Sequence, residues 1–250
     1  MTAVIQSENL WQQTTSDLSN FSTAEILQLL EEYQLLPALI KEMVIDQAIA
    51  DIDCTPEEEK SAGEQLAHQY QLTSEELRQR WLEQNNLSDE KFRAIAIRQF
   101  KLEKFKQITW GGDLDAYFFQ RKSQLDRVIY SLIRTNDIGV AQEIYFRIQA
   151  GEQTFGELAR EYSQGPEAQT NGLVGPVELQ SIHPMLGKIL ASTQPQQLLA
   201  PTQLENWIVI VRLEKLLPSQ LDPTLRQRLL NERFQAWLKA KIADHNPYNT

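Results

Sequence analysis

Apolar positions recur at helical spacing from residue 22 to residue 122, and each recurrence has its own start signal. Ser22-Thr23-Ala24-Glu25 pairs an N-cap serine with a glutamate three residues on, ahead of Ile26, Leu29, Leu30 and Tyr33. Pro37 opens a second helix with Leu39, Ile40, Met43, Val44, Ala48 and Ile52 on one broad face. Thr55-Pro56-Glu57-Glu58 puts a cap, a proline and acidic first-turn residues at the start of a third. Ser74-Glu75-Glu76 opens a fourth through Leu77, Trp81 and Leu82. Ser88-Asp89-Glu90 opens a longer one through Phe92, Ile95, Ala96, Phe100, Leu102 and Phe105, which Trp110-Gly111-Gly112 ends. Leu114 to Lys122 predicts one more.

The period changes at Leu125. Arg127 to Arg134 is rich in β-branched residues and alternates as a strand does. Ile138 to Gln149 and Thr154 to Tyr162 return to helix, followed by a Gly-, Pro-, Gln- and Asn-rich loop over 163–175. Val174 to Leu179 predicts a short strand, His183-Pro184 to Leu190 a helix, and Gln194 to Pro201 a turn with a short extended piece. Trp207 to Leu213 is the clearest strand in the chain. Leu221-Asp222-Pro223 then opens a last helix striped with Leu225, Leu229, Phe234, Trp237, Leu238 and Ile242. The pattern predicts an α+β protein: a helical region, including the C-terminal helix, with an inserted β-α-α-β-α-β module. The expected boundaries are a polar arm at 1–21, a helical region at 22–122, the module at 123–217, and a C-terminal helix at 218–250 packing back on the helical region.

Charge narrows the partners. The 250 residues carry a net charge of −10, with no block of Lys or Arg, which disfavours nucleic acid and anionic membrane as partners. A lone Cys54 excludes an internal disulfide and has no ligand spacing around it, and His68 and His245 share no spacing with other ligands, so no metal or cofactor is expected. The opening residues lack the basic start and apolar run of a secretory signal, which leads to the expectation of a cytoplasmic protein.

The phrases FGELAREYSQGPEA, NGLVGPVE, HPMLGKIL, LLAPT and NWIVIVRLEK, in this order within residues 125–216, resemble the parvulin (PpiC or rotamase) family of peptidyl-prolyl isomerases. LLPALIKEMVIDQAIA resembles the opening of the N-terminal chaperone region of SurA-type foldases. The whole organisation is similar to a cyanobacterial group of such isomerases associated with type I secretion transporters. The resemblance implies isomerisation of X-Pro bonds in unfolded or extended polypeptide, chaperone activity, and a secretion-system component among the partners.

The family site has a histidine in the first strand, another in the last, and a Cys or Asp in the loop after the second helix. Carried onto this chain, those positions fall on Tyr130, Ile208 and Gly165. Tyr130 becomes the candidate catalytic residue, its phenol able to hydrogen-bond the amide. Val174, Met185 and Leu186 are the candidate wall for the proline ring, with Gly165 and Ile208 beside it. All three polar positions depart from the family pattern. A degenerate module serving as holdase or escort, or as an adaptor for a secretion or peptide-maturation system, is therefore the alternative to an active isomerase.

Overall fold

The helix starts read from the pattern are capped as expected. Ser22, Thr55, Ser74 and Ser88 each accept a hydrogen bond from a backbone N–H in the first turn, and Glu25 and Glu58 close reciprocal capping boxes. In the computed structural model, which describes residues 20–244, these caps open α1 (Thr23–Glu32), α3 (Pro56–Gln69), α4 (Glu75–Gln84) and α5 (Asp89–Trp110). Leu36–Ile49 forms α2, with its proline in the first turn, and Leu114–Leu125 forms α6. His245 and the arm expected over residues 1–21 lie outside the described residues, apart from Asn20 and Phe21.

Two compact units divide the chain, one from residues up to 112 together with those from 228 onward, the other from residues 113–227. In the first, Ala62, Leu66, Leu82, Phe92 and Ala96 form a buried core. A second cluster stacks Phe105, Trp110, Phe234 and Trp237 with ring centroids 5.3–6.3 Å apart. Phe234 and Trp237 belong to the last helix, α10 (Pro223–Asp244), whose N-terminus is capped by the Asp222 carboxylate accepting from the Leu225 N–H.

α1 and α2 differ from the other helices. α1 buries none of its residues, and α2, which carries Lys41, Glu42, Asp46 and Gln47 among its apolar residues, buries only Ile45 and Ile49. Ile26, Leu27, Tyr33, Leu35, Leu39, Ile40 and Met43 are exposed. Arg98 of α5 holds α2 by polar contacts, donating to the Glu42 and Asp46 carboxylates at 2.7 and 2.6 Å.

The second unit holds β1 (Arg127–Thr135), α7 (Ile138–Ala150), α8 (Phe155–Tyr162), β2 (Leu173–Glu178), α9 (Pro184–Ser192), β3 (Leu198–Leu204) and β4 (Trp207–Leu217). The four strands form one antiparallel sheet in the order β2-β1-β4-β3. β3 corrects the β-α-α-β-α-β pattern expected from the sequence, which took that segment for a turn with a short extended piece. Pro201 lies inside it, and a proline argues against a central strand. Here the strand is at the sheet edge, and its register breaks between Leu199 and Thr202, so the missing N–H costs no ladder bond.

Side-chain alternation splits β1 and β4 between two cores. Ile133, Ile208 and Ile210 pack against Ala141 and Ile144 of α7 and Phe155, Leu158 and Ala159 of α8. Val128, Tyr130, Leu132, Val209, Val211 and Leu213 pack on the other side against Leu179 and against Leu186 and Leu190 of α9.

Candidate functional site

The face covered by α9 is not filled along its whole length. A cavity of about 290 Å³ opens there, lined by Tyr130, Leu132 and Arg134 of β1, Ser181, Ile182 and His183 of the segment entering α9, Leu186 of α9, Leu204 of β3, and Trp207 and Val209 of β4. Tyr130, Leu132 and Arg134 are successive same-face residues of one strand. A register irregularity immediately before Tyr130, in both of its pairings, aims the ring. The walls are apolar apart from the Tyr130 hydroxyl, the Arg134 guanidinium and two rim groups, Ser181 and His183.

Tyr130 is 4% exposed, and its hydroxyl makes no hydrogen bond within the described residues. Among the described residues every fully buried side-chain polar atom has a partner, so the Tyr130 oxygen is open to the cavity. Burial pushes this phenol above the ordinary tyrosine range; Arg134 draws it down and Glu167 draws it up. It is therefore a hydrogen-bond donor at neutral pH and above.

Arg134 is held by Glu167, in the turn of 3-10 helix over Pro166–Thr170. Nε and Nη2 donate to the two carboxylate oxygens, each at 2.8 Å. Ser163 donates to the same carboxylate at 2.6 Å and accepts from the Arg134 backbone N–H at 3.0 Å. The Glu167 side chain is 2% exposed and that of Arg134 30%. On the rim, His183 caps α9: its Nδ1 accepts from the Met185 N–H at 3.3 Å, and its Nε2 lies 3.3 Å from the Glu205 carboxylate.

The expected site residues divide. Tyr130 and Leu186 line the cavity together. Val174 is half-buried, pairs with Tyr130 across β1 and β2, and packs at the edge of the same core without lining the cavity. Met185 is 40% exposed and turns outward at the start of α9. Ile208 is corrected outright: it faces α7 and α8, on the side of the sheet away from Tyr130, and its neighbours Trp207 and Val209 occupy the groove face. Gly165 lines no part of the cavity. A Cβ there would collide with the Arg134 Nε and the Glu167 carboxylate, so a side chain at this loop position requires that pair to shift. Arg134, Ile182, Leu204, Trp207 and Val209 were missed. Stepping by two from Tyr130 finds Leu132 and Arg134, whereas the unbroken apolar run of β4 conceals which residues share that face.

A larger hollow, about 550 Å³, lies in the helical unit between α3 and α5, lined by Leu66, Phe100 and Leu102 with Glu58 and Lys104 among its polar groups. Lys104 bridges Glu58 at 2.7 Å there. Among the described residues no cluster of His, Cys, Asp and Glu is arranged to hold a metal ion, and no helix is long and apolar enough to cross a membrane.

Residues 134–215 match the family model of the PPIC-type PPIASE domain, or rotamase. Over 110 residues the chain is 31% identical to the chaperone SurA of Pseudomonas aeruginosa and 32% identical to that of Pseudomonas fluorescens. Each alignment covers 40% of this chain and 26% of the relative, so the chain matches about a quarter of the length of these curated relatives. Among solved structures, it is similar to the peptidylprolyl isomerase PrsA of Bacillus anthracis, with 19% identity, TM-score 0.47 and coverage of 83% of this chain and 97% of that one. PrsA of Bacillus cereus gives 18% identity and TM-score 0.49, covering 90% and 86%.

Proposed function

We propose that the chain uses its rotamase domain, residues 134–215, to bind extended proline-containing polypeptide in the Tyr130 cavity and to isomerise the X-Pro bond. The observation that carries this reading is a largely apolar hollow with one uncommitted phenol in its wall. Rotation about the bond faces a barrier of about 18–20 kcal/mol, which is the resonance of the planar amide. When the amide twists, the nitrogen loses conjugation and becomes a hydrogen-bond acceptor, while the carbonyl oxygen loses negative charge. A donor placed on the nitrogen stabilises only the twisted state, whereas a donor on the rotating carbonyl favours the planar one.

Tyr130 suits the first role. Its raised pKa keeps the proton on the oxygen, and one net hydrogen bond of about 1 kcal/mol corresponds to roughly fivefold in rate. Leu132, Ile182, Leu186, Leu204, Trp207 and Val209 would seat the ring and exclude water, which otherwise solvates the more polar planar amide. No nucleophile or metal is needed, because no bond to carbon is made or broken.

A protease-coupled assay on short X-Pro peptides tests the reading. The expected result is acceleration by the intact chain that falls about tenfold or more in Trp207→Ala, a loss of roughly 1.4 kcal/mol in transition-state stabilisation. Acceleration unchanged by that substitution contradicts the assignment of this cavity.

A second reading, a holdase acting on unfolded chains, is favoured by the exposed apolar residues of α1 and α2. Replacing Tyr33, Leu39 and Met43 together by serine is expected to abolish suppression of client aggregation while leaving isomerisation intact; equal suppression by the variant removes the reading. Location in the cytoplasm and a client bound for type I export are also parts of the proposal. Cell fractionation decides the first, and co-purification with a type I export substrate the second.

A further inference from the structure

The polar end of the cavity carries one cation whose charge is already spoken for. Arg134 reaches the cavity wall, yet Nε and Nη2 are both committed to Glu167 in a two-point ion pair, leaving Nη1 without a hydrogen bond among the described residues. The pair is locked from several sides. Ser163 donates to the Glu167 carboxylate, the Glu167 backbone carbonyl accepts from the Gly172 N–H at 2.8 Å, and the Gln164 N–H donates to the Arg134 carbonyl at 3.0 Å. Gly165 leaves room for the pair, since any side chain at that position would collide with both partners. The space beside Tyr130 where the family resemblance implies a loop Cys or Asp is thus bounded by a paired guanidinium, and the loop residue itself contributes no side chain.

We infer that Glu167 is a specificity-determining positioning residue: by neutralising Arg134, it makes the groove indifferent to the charge of the residue preceding proline. This inference rests on the isomerase reading above. An unpaired guanidinium in the same place would attract Glu-Pro and repel Lys-Pro segments. With Glu167 in place, the guanidinium offers a peptide carbonyl the N–H groups of Nη1, and the pair carries no net charge. The preferred client is then an extended segment with any side chain before proline, which suits a binder of unfolded chains better than a reader of acidic or phosphorylated motifs.

The test compares kcat/KM for a peptide series identical except for Glu, Ala or Lys before proline. The wild-type chain is expected to treat the three alike within about twofold. Glu167→Gln is expected to raise the Glu-Pro to Lys-Pro ratio about fivefold, the equivalent of one partly exposed charge pair of ~1 kcal/mol. Arg134→Gln, which leaves the carboxylate, is expected to move the ratio the other way. A general loss of loop structure would depress all three peptides together and leave the ratio unmoved. A wild-type chain that already favours Glu-Pro tenfold overturns the inference, even where neither variant folds. If Ala-Pro is turned over but both variants leave the ratio unchanged, only the role of Glu167 falls. If no peptide in the series is accelerated, the isomerase reading falls with it.

Discussion

The two faces of the four-stranded sheet are built from the same central strands, and they differ in what covers them. On one face, α7 and α8 press Ala141, Ile144, Phe155, Leu158 and Ala159 against Ile133, Ile208 and Ile210, and little accessible surface survives. On the other, α9 contributes Leu186 and Leu190 and leaves a hollow where Leu132, Leu204, Trp207 and Val209 meet the Tyr130 hydroxyl. Adjacent residues of β4 therefore differ in their surroundings: Ile208 and Ile210 are packed in the core, while Trp207 and Val209 line the hollow proposed to take the ligand. A substitution on the closed face should reduce stability, and one on the open face should reduce turnover.

Substitutions chosen by face can break or sharpen that contrast. The largest effect is expected from Ile210→Ala. Ile210 is fully buried on the closed face, and the change should cost about 2–5 kcal/mol of unfolding free energy, read by chemical denaturation, with turnover per folded molecule preserved. Trp207→Ala, on the open face, should reverse the pattern, with turnover down about tenfold and a smaller loss of stability because the ring is only half-buried. Tyr130→Phe removes one oxygen and should lower kcat/KM about fivefold, with a midpoint shift of at most a few degrees. If Tyr130→Phe destabilises the domain as much as Ile210→Ala does, the two faces are not functionally distinct.

The smallest effect concerns pH. The folded pKa of Tyr130 lies above its ordinary value of 10.0, first because of burial. The folded state then holds its proton where the unfolded state has lost it, so stability is fully present below pH 10 and falls as pH rises toward the folded value. Denaturation curves across that window should show a downward slope that is shallower in Tyr130→Phe. The hydroxyl remains a donor throughout, so turnover should not decline between pH 8 and pH 10 on its account.

The helical half was legible because its signals are local. Ser22, Thr55, Ser74 and Ser88 each sit one residue before their helix, and the Thr154–Glu157 pair does the same for α8. β1, β2 and β4 were legible as strands, but their facing was only partly so. In β1, Arg127 and Arg134 bracket the apolar run, and stepping by two from Tyr130 leads to Leu132 and Arg134. In β4, both faces are buried, so Trp207 to Val211 reads as continuous apolar sequence with no phase, and a one-residue slip moved the expected groove residue from the open face to the closed one. β3 was obscured by Pro201, tolerable only at an edge that sequence does not identify. The Arg134–Glu167 pair joins residues 33 positions apart, and nothing in the spacing marks it. The exposure of α1 and α2 was equally hidden, since an apolar face reads the same whether covered or bare.

The most direct test is an NMR titration of the intact chain with a short Ala-Pro peptide, following amide and side-chain resonances on both faces of the sheet. The account requires shifts at Tyr130, Leu132, Leu186, Leu204, Trp207 and Val209, with Ile133, Ile144, Leu158 and Ile210 unmoved. Shifts centred on the α7 and α8 face, or none at millimolar peptide, would contradict it.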